Sequence, residues 1–204
     1  MKYGIWFALL MLLWSCQGDS SASTAETKKT PKTDQIKTFA DGHIVYADGT
    51  RLAFPATKQS DGRYLFLVRH AEKAASEDGD PPLTGIGQQR ADRLRTILKD
   101  ANIGQVYSSD YQRTRSTGMP LAEQINQDLN LYNPGNLPGF SKKLLADSKG
   151  GNALIVGHSN TTPQLVNLLV GKDQYSSIDE SDYGNLFVVY LPGSGSATVE
   201  RLSY

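Results

Sequence analysis

Residues 64–73 read Tyr-Leu-Phe-Leu-Val-Arg-His-Ala-Glu-Lys, and this stretch decides the fold class. Its apolar beginning, residues 64–68, has the continuous hydrophobicity of a strand that is buried on both faces of a sheet. Arg69 and His70 follow directly where that strand ends. Because open α/β sheets bind ligands beyond the carboxyl ends of their strands, the stretch predicts a buried strand with a functional site at its end.

Further strand-like runs alternate with helical patterns along the rest of the chain. They lie at residues 105–107, 129–132, 153–156, 186–191 and 197–201. Helical periodicity separates the earlier runs, which is typical of parallel strands joined by helices. The chain is therefore predicted to be an α/β protein, a three-layer α/β/α sandwich with a mostly parallel sheet.

Caps and prolines predict where the helices begin and end. Pro120 is expected to divide the second helix in two, because proline removes a backbone donor. A third helix is expected near residues 140–146, and a fourth should end at Gly171. The predicted caps are Thr84 for the first helix, Ser109 or Asp110 for the second, and Thr162, directly before Pro163, for the fourth.

The first residues resemble an export signal. Residues 1–15 combine a short basic start with an apolar run that is about half as long as a membrane-spanning helix. Residues 13–16, Leu-Trp-Ser-Cys, resemble a bacterial lipobox, so Cys16 is the predicted lipidation site. An ordinary secretory signal with an incidental cysteine is the alternative. The expected location is the bacterial cell envelope, with the exported chain lipid-anchored at the periplasmic or outer-membrane face.

Composition divides the remainder of the chain into three parts. Residues 16–36 are rich in Ser, Thr, Lys and Asp, and they are predicted to form a flexible tether after the cysteine. Residues 37–60 are expected to form a β-hairpin lead-in, with Asp-Gly turn signals at 41–42 and 48–49. Residues 61–204 form the predicted main domain.

Charge and cysteine content exclude several classes of function. The 204 residues include 21 basic and 21 acidic side chains, so the formal net charge is zero. This balance argues against a nucleic-acid-binding surface and against membrane binding other than through the lipid anchor. With Cys16 as the single cysteine, neither a disulfide framework nor a cysteine-based zinc site is possible. No metal or cofactor is expected.

Three polar clusters follow the first, second and fourth strand-like runs. They occupy residues 69–73, 108–113 and 157–160, and together they contain two histidines and two of the arginines, Arg69 and Arg113. A phosphoryl group spreads negative charge over three oxygens, and arginine offers a planar, permanently charged fork for such oxygens. A neutral imidazole can act as a nucleophile. The clusters therefore predict a site for a phosphoryl dianion rather than for zinc.

These clusters carry a family resemblance. Residues 67–73 resemble the signature of the histidine phosphatase superfamily, also called phosphoglycerate mutase-like. The resemblance continues, in the family's order, through residues 83–91, through 107–117 and through 157–160, which is Gly-His-Ser-Asn. It implies a phosphoglycerate mutase-like fold and makes residues 61–204 a histidine phosphatase domain. The short catalytic region is similar to that of the small phosphohistidine phosphatases, which lack a long capping insertion.

The resemblance also implies roles for individual residues. His70 would be the nucleophile and would form a phosphohistidine intermediate. Arg69 and Arg113 would clamp the phosphoryl oxygens, and His158 would donate a hydrogen bond to them. Ser108 and Asn160 are candidates for further contacts with the substrate.

The general acid is where the chain departs from the family pattern. Many members place a carboxylate near the third strand, but residues 131–135 read Leu-Tyr-Asn-Pro-Gly. Glu72 and Asp80 are the candidates nearest the nucleophile, although an ion pair and a turn explain them equally well. Glu180 or Asp182 are candidates farther along the chain.

The expected activity is hydrolysis of phosphate monoesters or phosphoramidates on a phosphorylated small molecule or a phosphoprotein. One alternative is a non-catalytic phosphate- or glycan-binding lipoprotein on the same scaffold. A second is a phosphoglycerate mutase-type phosphotransferase, which the export signal disfavours because its substrates are cytosolic. A metallohydrolase is a third.

Overall fold

The computed structural model describes Met1 and residues 36–53, 62–75, 79–147 and 150–204. The predicted signal peptide, Cys16 and nearly all of the tether lie outside the described residues; Ile36, assigned to the end of the tether, opens the first strand instead. The described residues from Ile36 onward belong to one compact unit. None of the helices in this described part is long and apolar enough to cross a membrane.

A small antiparallel sheet forms first. Its strands are β1 (Ile36–Ala40), β2 (His43–Tyr46) and β3 (Arg51–Ala53), in the order β1-β2-β3. The lead-in is thus a three-stranded sheet with two turns rather than a single hairpin. Asp41, Gly42 and Gly49 take positive φ angles of 50°, 69° and 84° in those turns, as the two Asp-Gly signals predict. Residues 54–60 of the predicted lead-in are not among the described ones.

The central sheet has six strands in the order β6-β5-β7-β4-β8-β9. The strands β4, β5, β6 and β7 run parallel, whereas β8 pairs antiparallel with β4 and β9 with β8. A mostly parallel sheet is therefore confirmed. Its strands are β4 (Arg63–Arg69), β5 (Ile103–Ser109), β6 (Leu129–Tyr132), β7 (Asn152–Gly157), β8 (Asn185–Leu191) and β9 (Thr198–Ser203).

Two pairs of helices cover the two faces of this sheet. They are α1 (Gly85–Leu98) with α2 (Gln112–Gln124), and α3 (Leu137–Ala146) with α4 (Thr161–Val170). Alternate side chains of β4 separate the two cores: Phe66 packs in the cluster of α1 and α2, and Leu67 in that of α3 and α4. All residues of β4 are buried, which explains the continuous apolar run of residues 64–68 between its two terminal arginines. The predicted three-layer sandwich is confirmed.

The helix boundaries differ from the predicted ones where tertiary contacts replace local caps. The second helix, α2, runs through Pro120 without a division, because the following Leu121 and Ala122 are buried in the core. Neither Ser109 nor Asp110 caps this helix. The carboxylate of Asp80 accepts from the backbone N–H of Gln112 at 2.8 Å instead.

The fourth helix also begins earlier than predicted. It starts at Thr161 rather than Pro163, and Asn160 occupies the cap position. Thr162 does not cap it, because its buried hydroxyl donates to the carbonyl of Val68. The helix does end at Gly171, which has the positive φ of 67° that glycine favours. At the first helix, Thr84 accepts from the N–H of Gly87, as predicted.

Candidate active site

The three polar clusters meet at one edge of the sheet. Strands β5, β7 and β4 are neighbours and run parallel, so their carboxyl ends lie side by side. A cleft of about 460 Å³ opens there. A larger cavity of about 620 Å³, beside α1 and Tyr204, contains neither imidazole of the predicted site. The smaller cleft is lined by His70, Lys73, Tyr111, Arg113, Pro134, Gly135, His158, Ser159, Asn160, Thr161 and Glu180.

His70 is held as a neutral imidazole with one free nitrogen. Its Nδ1 lies 2.8 Å from the carbonyl oxygen of Ala71. A carbonyl only accepts hydrogen bonds, so Nδ1 carries the proton and Nε2 keeps its lone pair. Burial lowers the pKa of His70 to about 4, and the charges of Arg69 and Arg113 act in the same direction. His70 is therefore an uncharged imidazole at neutral pH, with a lone pair on Nε2.

His158 stands beside it, with the centroids of the two rings 5.6 Å apart. Its Nε2 lies 2.9 Å from the hydroxyl of Ser109, and that hydroxyl lies 3.1 Å from the hydroxyl of Thr114. Ser109 and Thr114 are both fully buried. Burial and the charges of Arg113 and Arg69 lower the pKa of His158 to about 4. Ser109 thus orients a second neutral imidazole.

Ser109 is a site residue that the sequence analysis assigned to helix capping. Ser108 was the predicted substrate contact, but it is fully buried and its hydroxyl donates to the carbonyl of Ser109. A substrate therefore has no access to Ser108 in this arrangement. The polar pair Ser108 and Ser109 at the end of β5 indicated the site, while only the fold shows which of the two hydroxyls reaches His158.

Arg113 points into the cleft with part of its hydrogen-bonding capacity unused. Its Nη1 donates to the carboxylate of Asp80 and to the carbonyl of Gly79, both at 3.3 Å, and its guanidinium lies 4.5 Å from the centre of the Tyr111 ring. Its buried Nε has no partner within the described part of the chain. A buried donor without a partner is costly, so an anion in the cleft would satisfy it.

Arg69 is fully buried and is held by the chain segment before β8. Its Nη1 donates to the carbonyls of Asp179, Glu180 and Asp182, and its Nη2 to the carboxylate of Glu180 at 2.6 Å. Its buried Nε, like that of Arg113, lacks a partner among the described residues. Its charge acts on both imidazoles, although its side chain does not line the cleft.

Of the remaining predicted residues, Asn160 lines the cleft, whereas Glu72 and Asp80 do not. Asn160 is exposed and lines the cleft at the start of α4. Glu72 does not line it, because its carboxylate accepts three hydrogen bonds from Arg90. Burial raises the pKa of Glu72, but these bonds outweigh burial and hold it below the usual range. Asp80 is occupied by the start of α2 and by Arg113. The structure thus gives other partners to Glu72 and Asp80, the two acid candidates nearest the nucleophile in sequence.

The groups that meet in the cleft suit an anion. Over the ranges that the structure describes, no three His, Cys, Asp or Glu side chains are grouped to hold a metal ion. The cleft instead combines two neutral imidazoles and a guanidinium.

Part of the chain is similar in sequence to known proteins. The model of the histidine phosphatase superfamily (branch 1) matches residues 65–133. Curated proteins of Escherichia coli O1:K1 / APEC and Shigella boydii serotype 18, both named "Probable phosphoglycerate mutase GpmB", are 35% identical to the chain over 71 residues. These matches cover 32% of this chain and 33% of each relative, so the chain spans about a third of their length.

Solved structures match over most of the described fold. The protein histidine phosphatase SixA, complexed with tungstate, superposes with a TM-score of 0.57 and 21% identity, over 69% of this chain and 96% of that one. The phosphoglycerate mutase of Plasmodium falciparum superposes with a TM-score of 0.53 and 17% identity. This match covers 71% of this chain and 94% of the mutase. Identities this low show a shared fold alone.

The family model and the fold agree with the site. The matched residues 65–133 carry Arg69, His70 and Arg113, and the parallel strands bring His158 next to them. Over residues 65–133 the chain is thus similar to the histidine phosphatase superfamily, and its fold is shared with solved structures such as SixA.

Proposed function

We propose that the protein is a phosphatase that hydrolyses phosphate monoesters or phosphoramidates through a phosphohistidine on His70. The observation that carries this proposal is the unprotonated Nε2 of His70 in a cleft that it shares with Arg113 and His158. Attack on a phosphoryl group requires a lone pair on the nucleophile and fixed donors for the charge that develops on oxygen. Both are present.

In the first half-reaction, the Nε2 lone pair attacks phosphorus and forms the N–P bond. The bond from phosphorus to the leaving group breaks, and the leaving group takes the electron pair. Arg113 and His158 bind the phosphoryl oxygens, while the nearby charge of Arg69 stabilises the transition state. The hydrogen bond from Nδ1 to the carbonyl of Ala71 keeps the ring in place throughout.

In the second half-reaction, water attacks the phosphorus of phosphohistidine. The new O–P bond replaces the P–N bond, His70 recovers its lone pair, and inorganic phosphate leaves. The cleft opens to solvent, so water can reach the intermediate. This cycle uses no metal or cofactor.

The partners of Glu72 and Asp80 bear on the class of substrate. General acid catalysis contributes about 10²–10⁴-fold, or roughly 3–5 kcal/mol of barrier. Without it, aryl and acyl phosphates, phosphoramidates and anhydrides react more readily than alkyl phosphates. The fold shared with SixA supports phosphohistidine on a protein as one such substrate, and a phosphorylated small molecule is the other class. The small phosphohistidine phosphatases are therefore the branch we favour.

A substrate panel tests the proposed function. We expect turnover of p-nitrophenyl phosphate in the presence of a chelator, and its loss in His70→Ala. Labelled donor should leave an acid-labile phosphoryl group on the wild type and not on His70→Ala. Turnover that His70→Ala leaves unchanged would reject the mechanism, and a complete lack of turnover would favour the phosphate-binding alternative. Mutase activity with phosphoglycerates would favour the phosphotransferase alternative, the activity for which the Escherichia coli and Shigella relatives are named.

We further propose export and lipidation at Cys16. The support is the apolar run of residues 1–15 and the lipobox-like residues 13–16. In bacterial cells fed labelled palmitate, the wild type should incorporate label into the membrane fraction. Cys16→Ala should not, and equal labelling of both would contradict the proposal.

A further inference from the structure

Glu180, a general-acid candidate from the sequence, is a carboxylate of the candidate site to which the proposed cycle gives no role. It lies in the final loop, which we define as residues 172–184 between α4 and β8. Its side chain lines the same cleft as His70, Arg113 and His158. It accepts from Nη2 of Arg69 at 2.6 Å and from the hydroxyl of Ser159. These two contacts fix the carboxylate at the mouth of the cleft.

The position of Glu180 is fixed from two sides. The three carbonyls bound by Nη1 of Arg69 hold the loop backbone on one side of it. On the other side, the buried Ile178 donates its backbone N–H to the carbonyl of Ser159 at 2.9 Å. The Glu180 side chain itself is 72% exposed, so water reaches it.

Glu180 is also the carboxylate that lines the cleft in the described part of the chain. Glu72 is bound by Arg90, and Asp80 by the start of α2. Asp182 accepts from the N–H of Gly184 and lies 3.8 Å from Arg201. None of these three lines the cleft. The hydrogen bond from Ser159, aided by the charge of Arg69, lowers the pKa of Glu180, so the group is ionised at neutral pH.

We infer that Glu180 is the general base of the second half-reaction, an inference that rests on the proposed function. The attacking water would lie between the carboxylate and phosphohistidine at the mouth of the cleft. As the water oxygen bonds to phosphorus, its proton passes to Glu180 and the P–N electron pair returns to Nε2 of His70. The proton then leaves Glu180 for solvent.

This role has a consequence for the substrate. An ionised carboxylate has no proton to give to the leaving group in the first half-reaction. The site therefore assists hydrolysis of the intermediate but not departure of the leaving group. Its substrates are those whose leaving groups depart without a carboxylic acid: aryl phosphates, acyl phosphates and phosphoramidates.

Transient kinetics of Glu180→Gln tests the inference. The amide keeps the size of the side chain and an oxygen for Arg69, but it cannot take a proton. Asp179→Asn is the matched control, because Asp179 is the adjacent carboxylate, bonds Ser181 and does not line the cleft. With p-nitrophenyl phosphate, we expect Glu180→Gln to release a full burst of p-nitrophenol at the wild-type rate. Its steady-state turnover should fall by about 10²-fold or more, and labelled phosphohistidine should accumulate. Asp179→Asn should match the wild type in all three measurements.

Three results would overturn this inference and leave the proposed function intact. One is a phosphohistidine that forms and decays at wild-type rates in Glu180→Gln. Another is a burst that slows as much as the steady state, since Glu180 would then act in the first half-reaction or position Arg69. The third is faster turnover with tighter tungstate binding, which would mean that the carboxylate competes with the phosphoryl group. If no variant, nor the wild type, forms phosphohistidine while turnover proceeds, the proposed function fails together with the inference.

Discussion

His70 and His158 illustrate how burial sets reactivity at the scale of a single residue. Each has a pKa of about 4 instead of the ordinary 6.5, because burial disfavours the charged ring. A lowered pKa keeps His70, the proposed nucleophile, neutral to lower pH, so activity should be lost only as pH falls through about 4.

The pH profile checks this prediction. We expect kcat/KM for p-nitrophenyl phosphate to stay near its plateau down to about pH 5, and to fall about tenfold per unit well below pH 4. His43→Gln, a change at the small N-terminal sheet, should leave the profile unchanged. An acid limb centred near the ordinary value for histidine would show that the rings are solvated.

Ser109 is predicted to act through His158. Removing its hydroxyl in Ser109→Ala takes away the partner of Nε2. A hydrogen bond to a charged or reacting group contributes about 1.5–3 kcal/mol, so kcat should fall about ten- to a hundredfold. The ¹⁵N chemical shifts of the His158 ring should change with it, which a purely structural role would not cause. Ser108→Ala, which removes the neighbouring buried hydroxyl, should leave those shifts unaltered.

Asp80 links two elements at the scale of secondary structure. Its carboxylate caps α2 and pairs with Arg113, so the loop after β4 supports both the helix and the cation. Asp80→Ala should lower the free energy of unfolding by about 1 kcal/mol and weaken tungstate binding. Asp80→Asn keeps an oxygen for the cap and should retain most of the stability. Denaturant unfolding and calorimetry measure both quantities; equal losses in the two variants would argue against capping.

The start of α1 packs closely against the segment that carries the nucleophile. A Cβ on Gly87 would lie 2.2 Å from the carbonyl oxygen of Glu72, whereas one on Gly85 would meet nothing within 4 Å. Gly87→Ala should therefore cost about 1–3 kcal/mol of stability and reduce activity, because residues 70–73 must move. Gly85→Ala should be neutral or stabilising by up to about 1 kcal/mol. Similar melting temperatures for the two variants would contradict this packing.

At the scale of the whole molecule, the small N-terminal sheet belongs to the main core. The Phe39 ring is 2% exposed and contacts Tyr64 and Phe66 edge-on, with centroids 5.1 and 4.8 Å away. Phe39→Ala should lower the free energy of unfolding by about 3–5 kcal/mol. Ile86→Ala, at an exposed position of α1, should change it by less than about 0.5 kcal/mol. A small effect of Phe39→Ala would make the sheet a peripheral addition.

The sequence by itself determined the elements and the chemistry. The strand of residues 64–68 and the polar clusters at 69–73 and 157–160 could be identified because burial and periodicity are local properties of the chain. The rule that parallel strands end at one edge then predicted that His70 and His158 would meet, which the structure confirms.

Only the tertiary structure decided which groups assist the two imidazoles. Asp80 caps α2 from 32 residues away in sequence, and Glu180 contacts Arg69 although 111 residues separate them. Local sequence patterns give no indication of contacts between residues so far apart in the chain. Ser108 and Ser109 are neighbours in sequence, yet the alternation of side chains along β5 directs just one of them at His158. Pro120 remains inside α2 because burial of the next turn outweighs one lost hydrogen bond. Such contacts depend on packing between distant segments, and that packing exists only once the sheet has formed.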